Sequence, residues 1–168
     1  MRPARPPIGL HLTSAARIVG RAFDDALGEA EGSLPVWLVS VNLKRNSRAN
    51  QREIAEAMGI SEATLTHHLN AMEADGLVTR HRDPTNRRVH LIQLTDAGEA
   101  AFVRLRDAAS TFDRRLRRGL GQDEVDQLHD LLTRLAANVG ASIDHGPPWR
   151  GLVEGRTATT PRTRKGKS

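Results

Sequence analysis

Four side chains between Thr64 and Asn70 could do chemistry: Thr64, Thr66, His67 and Asn70 bring hydroxyl, imidazole and amide groups onto one short stretch. Between them Leu65, Leu69 and Met72 recur at four and three residues, the spacing of a buried helical stripe, so the polar set faces outward with Glu62 and Ala63. Groups of this kind suit the floor of a DNA major groove, where hydroxyls and amides pair with base edges and a methyl packs on thymine. They are equally ordinary on a solvated helix face. A little downstream Arg80, Arg82, Arg87 and Arg88 stand against the single acid Asp83. Four guanidinium groups so placed fit phosphate and minor-groove contact, although charges at a sheet edge also serve simply to block edge-to-edge pairing.

The elements that position these groups can be read from their caps and breaks. Asn50 starts a helix as a capping residue, with Glu53 reaching back to it. Ile54, Ala55 and Met58 share a face, Gly59 breaks the helix and Ile60 plugs the turn. Ser61 then caps the helix that carries the polar set, and the whole has helix-turn-helix spacing. Gly76 ends that helix in a left-handed conformation. Residues 77–81 read as a strand with β-branched Val78 and Thr79; a turn over Asp83, Pro84, Thr85 and Asn86 leads into a second strand over 89–94.

Helices flank this head on both sides. Leu12, Ala15, Val19, Ala22, Phe23 and Ala26 repeat at helical spacing between Ile8 and Gly28. Ser33 is placed to cap LPVWLVSVNLKR, which is apolar almost all round, as a buried helix is. This segment is expected to be the pillar that seats the head. Thr95 caps a long helix with the stripe Ala101, Leu105, Ala108, Phe112 and Leu116, ending near Gly119 to Gly121. Its outer arginines, Arg104, Arg106, Arg114, Arg115, Arg117 and Arg118, need no phosphate to explain them, since basic residues in a last turn favour the helix dipole. A last helix from Gln122 or Asp123 carries Val125, Leu128, Leu132, Leu135 and Val139, widened by Leu131 and Ile143. That is a seam for another helix, within one chain or across a two-fold axis.

The fold class expected is therefore mainly α with a small β-wing: a winged helix-turn-helix between N- and C-terminal dimerisation helices. The segments are a flexible start over 1–7, a dimerisation helix over 8–30, the DNA-binding head over 33–94, dimerisation helices over 95–145 and a basic, disordered tail over 146–168.

At 168 residues, 38% hydrophobic and 27% charged, the chain is one globular domain's worth, which a dimer would help to stabilise. No apolar run is long enough for a membrane span and the first residues lack a hydrophobic signal core, so a cytoplasmic protein is expected. The formal charge of +5 is a poor guide to partners: the stretch from Gly146 to Ser168 holds six basic residues and one acid, so the remainder sums to zero. The case for DNA rests on placement, with Lys44, Arg45, Arg48 and Arg52 before the recognition helix and the wing arginines after it. With no cysteine there is no disulfide, thiolate zinc site or thiol redox sensor.

The head resembles the winged helix-turn-helix of the MarR (multiple antibiotic resistance regulator) family of bacterial transcription factors. The resemblance rests on Ser61, Thr64, Thr66 and Glu73, on Gly76, Leu77 and Val78, on Asp83, Arg87 and Arg88, and on Leu94, Thr95 and Gly98. It implies a homodimer that lays one recognition helix from each subunit into successive major grooves of a pseudo-palindrome, with a wing arginine in each minor groove. By position Arg88 would be the minor-groove arginine, and Arg87 and Ser61 would hold phosphates; Thr64, Thr66, His67 and Asn70 are the base-contact candidates. Two departures matter. Asn86 stands where the family usually has an aspartate that orients the wing arginine, and His67 and His68 stand where arginine and an apolar residue are usual.

No nucleophile elbow, HExxH or phosphate-cradling glycine loop occurs, so neither an enzyme nor a cofactor is expected. His67 and His68 are neighbours about 100° apart on a helix, and the other histidines are scattered, so no metal is expected. The resemblance implies instead a small aromatic or lipophilic anionic effector in the cleft between dimer helices and head. His11 and Trp37 are the lining candidates, a donor and a flat apolar wall, although core packing is the commoner role for such a tryptophan and solvent exposure for such a histidine. Two other readings share these features: a winged-helix protein-interaction module, and an architectural DNA binder without sequence preference.

Overall fold

The computed structural model describes residues 6–46, 49–82 and 90–140, the side chain of His90 excepted. Six helices and a two-stranded sheet follow in the order α1 (Ile8–Glu29), α2 (Leu34–Arg45), α3 (Gln51–Met58), α4 (Glu62–Ala74), β1 (Val78–Arg82), β2 (His90–Leu94), α5 (Asp96–Leu116) and α6 (Gln122–Asn138). The mainly helical class with a small antiparallel wing is thus present.

Local chemistry accounts for the element ends. Asn50 Oδ1 accepts from the Glu53 amide while Glu53 Oε2 accepts from the Asn50 amide, each at 3.0 Å, a complete capping box. Gly59 closes α3 at φ 67° and Gly76 follows α4 at φ 68°, a region that L side chains rarely adopt. The Ser61 hydroxyl accepts from the Thr64 amide at 3.1 Å and starts α4. Ser33 stands at the N-cap of α2 but its side chain makes no capping bond; Pro35 in the first turn, lacking an amide proton, leaves fewer donors there to satisfy.

Two cores meet along α2. On one side Val39 and Leu43 join Ile54, Leu65, Leu69, Met72, Val78 and Ile92 in the core of the head. On the other, Trp37 and Val41 join Leu27, Phe102, Leu105 and Ala109. A helix pressed from both sides must be apolar on both, which is why its sequence shows so little amphipathicity. The wing pairs Val78 with Leu94 through to Arg82 with His90, and an isolated bridge ties Asn50 to Leu91, fastening the start of α3 to the sheet.

The long helix departs from the expected stripe. Gly98, Ala101, Phe102, Leu105, Ala109 and Phe112 are its buried residues, whereas Ala108 is only half-buried and Leu116 is exposed. The contact face follows the aromatic pairs Trp37 with Phe102, stacked at 5.7 Å, and Phe23 with Phe112 at 5.1 Å, and so takes in Phe102 and Ala109 in place of Ala108 and Leu116. Of α6, the described chain buries Val125; Leu128 and Leu131 of the seam remain 48% and 44% exposed and Val139 is open. Ile143 lies outside the described residues.

Candidate nucleic-acid interface

Leu65, Leu69 and Met72 are buried, as their spacing requires, and they turn Ser61, Thr64, His67 and Asn70 to solvent with Thr66 half-buried at the edge. These groups are not equally free. Ser61 Oγ and Thr64 Oγ1 are 2.9 Å apart and hydrogen-bonded, either able to donate, so the start of α4 presents two linked hydroxyls at a helix N-terminus. Such a helix N-terminus favours an anion.

Thr66 is tied into the scaffold. Its hydroxyl donates to the Glu62 carbonyl at 2.8 Å and accepts from Gln51 Nε2, which also reaches the Glu62 carbonyl at 3.4 Å. Thr66 therefore offers a groove its methyl more than its hydroxyl. His67 is exposed, its ring 5.9 Å from that of His68. Asn70 Oδ1 accepts from Arg80 of β1, whose guanidinium also pairs with Glu73 at 2.7 Å.

This network corrects the expectation for Arg80, which is held in the head rather than offered to phosphate. Arg82 is exposed, and its side chain has no partner among the described residues. Arg87 and Arg88 lie outside the described residues. Of the basic residues before α4, Lys44 pairs with Glu99 at 2.9 Å and Arg52 with Glu56 at 2.8 Å. Hydrogen bonding to Glu56, with the charges of Glu56 and Glu62, raises the Arg52 pKa further. Arg45 is exposed, and Arg48 is outside the described residues.

Known proteins share this fold. The MarR family model matches residues 33–90, from the N-cap of α2 to the first residue of β2. The transcriptional repressor CouR, solved bound to a 23-mer DNA duplex, is 32% identical and superposes with a TM-score of 0.72 over 77% of this chain and 92% of that one. The chain belongs to the MarR family. Another solved member, a MarR-family regulator from Rhodococcus sp. RHA1, is 26% identical with a TM-score of 0.67 over 76% and 91% of the two chains. The uncharacterised HTH-type transcriptional regulator YdgJ of Bacillus subtilis (strain 168) is 24% identical over 128 residues, 76% of each chain.

The two residues expected to line an effector cleft in this MarR-family regulator are not brought together as one. Trp37 has no exposed surface: it stacks on Phe102 inside the second core, and its Nε1 has no hydrogen-bond partner among the described residues. His11 lies on the exposed side of α1. An open depression of about 280 Å³ lies elsewhere, lined by Asn42, Arg45, Asn46, Glu53 and Ile54 among others. Sequence reasoning missed Gln51 and the Arg80 link between Glu73 and Asn70. The signal for the second was present, an acid and an arginine seven residues apart across Gly76, but only the turn makes them neighbours.

Proposed function

We propose that this MarR-family protein is a homodimeric repressor that binds a pseudo-palindromic operator in double-stranded DNA and is released by a small aromatic or lipophilic anion. The observation that carries the reading is the exposed, serine-capped face of α4 beside an arginine-bearing wing. Thr64, the Thr66 methyl, His67 and Asn70 read bases, Ser61 and Arg87 hold phosphates and Arg88 enters the minor groove. Exposed apolar side chains on α1 (Ile8, Leu10, Ile18), on α6 (Leu128, Leu131) and at its C-cap (Val139) support pairing with a second copy, which would set two recognition helices about one DNA turn apart. CouR, described as a repressor and solved on a duplex, supports the direction of regulation.

The effector would enter by a population shift. A state in which α1 parts from α5 exposes the unpartnered Trp37 Nε1 and the Phe102 face, with His11 on the same helix that moves; an anion that binds this state better than the closed one changes the spacing of the heads. A regulator that acts on DNA would work in the cytoplasm; among the described residues no helix is long and apolar enough to cross a membrane.

Selection of bound fragments from a random duplex pool, followed by titration of the winner against a scrambled copy, tests the reading. A two-fold symmetric winner bound at least about a thousandfold more tightly is expected. Equal affinity for the scrambled copy would leave an architectural binder, and no DNA binding with a steep salt dependence would leave a protein-contact module.

A further inference from the structure

Asn70 lies on the exposed face of α4, and an asparagine in a major groove ordinarily reads adenine, its Oδ1 accepting from the base N6 amino group while its Nδ2 donates to N7. Here Oδ1 is already engaged. Arg80 projects from β1 over the end of α4 with its side chain only 20% exposed. Its Nε donates to Glu73 Oε2 at 3.0 Å, its Nη2 lies 2.7 Å from the same carboxylate oxygen in an ion pair, and Nη2 donates to Asn70 Oδ1. A guanidinium only donates, so the amide atom facing it must be the oxygen, and Nδ2 with its two protons points the other way. The planar fork of Arg80 is held by an ion pair to a residue one turn along the same helix, which leaves Asn70 little freedom to rotate.

We propose that Arg80, anchored by Glu73, fixes Asn70 as a hydrogen-bond donor, so that this position of the recognition helix selects guanine rather than adenine. Guanine alone presents two neighbouring acceptors, N7 and O6, in the major groove, and matches an amide whose oxygen is turned toward Arg80 and whose Nδ2 faces outward; adenine would set its N6 amino group against that donor. Arg80 acts here as a positioning residue and Asn70 as the reader. The inference rests on the operator-binding function proposed above.

The test is selection from a random duplex pool by the full chain in four forms: wild type, Asn70→Ala, Arg80→Met and Arg80→Lys. The base pair whose preference disappears in Asn70→Ala is the one Asn70 reads. Wild type is expected to favour guanine over adenine there by about tenfold. Both Arg80 variants, by freeing Oδ1, are expected to turn the preference to adenine while the other positions keep theirs. Arg80→Lys retains a cation for Glu73 but cannot fork to both partners, so it preserves the ion pair if Arg80→Met fails to fold. Adenine at that position in wild type, guanine retained in Arg80→Lys, or no position answering to Asn70→Ala would overturn the inference and leave operator binding intact. A wild-type protein that enriches no motif would overturn both.

Discussion

Thr66 shows how a residue's type and its usable chemistry can part company. Threonine in a reading helix suggests a hydroxyl for base edges, yet this hydroxyl is occupied by Gln51 and the Glu62 carbonyl, which leaves the methyl. Thr66→Val, which keeps the methyl, is expected to retain operator affinity, whereas Thr66→Ser, which keeps the hydroxyl, should lose about fourfold, the worth of one buried methyl. Titration of the selected operator distinguishes them; the reverse order would return the hydroxyl to the interface. Gly98 is a residue-scale constraint of another kind. A Cβ there would lie 2.0 Å from the Leu77 carbonyl oxygen, which is backbone and cannot swing aside. Gly98→Ala should therefore destabilise the fold by about 3 kcal/mol, at the upper end for overpacking, and a denaturant midpoint unchanged from wild type would show that α5 can shift.

At the scale of elements, α3 is short and polar on its outer face, so its stability leans on its cap. Removing the Asn50 side chain deletes the bond to the Glu53 amide and should cost about 1 kcal/mol, read as a lower thermal midpoint. Because Asn50 also bridges backbone to Leu91, a larger loss would mean that the cap sets the junction of helix and wing as well. The elements themselves were largely legible: caps at Asn50, Ser61 and Thr95 all form, and the strands begin within one residue of the expected places. What misled was the face of α5, where Ala108 and Ala109 are interchangeable in a periodicity argument. Phe102 decides it, since an aromatic ring stacked on Trp37 rotates the helix toward itself.

For the whole molecule, the exposed leucines of α6 make oligomeric state the quantity to measure. Leu128→Glu with Leu131→Glu places two charges in the proposed seam, on residues that the single chain leaves half open and so does not need for its own core. Sedimentation equilibrium is expected to show a monomer with its helices intact, and operator affinity should fall at least about a hundredfold as the two half-sites lose their linkage. A variant of unchanged mass would move the dimer contact off α6. Truncation of the basic stretch after Gly146 should weaken binding to scrambled and selected duplexes alike, and by more at low salt, if those six charges add only non-specific attraction. A change in the ratio of the two affinities would give that stretch a part in specificity.

The sequence by itself determined the head, the pillar, the exposed face of the recognition helix and the family, because caps, glycine breaks and apolar periodicity act over a few residues and leave a readable pattern. Only the tertiary structure decided which of the polar groups on that face are free. Gln51 and Thr66 meet across the helix-turn-helix, and Arg80 reaches Glu73 and Asn70 from a strand on the far side of Gly76. Hydrogen-bond capacity is shared out among neighbours in space, and neighbours in space are what a list of residue types and spacings does not contain.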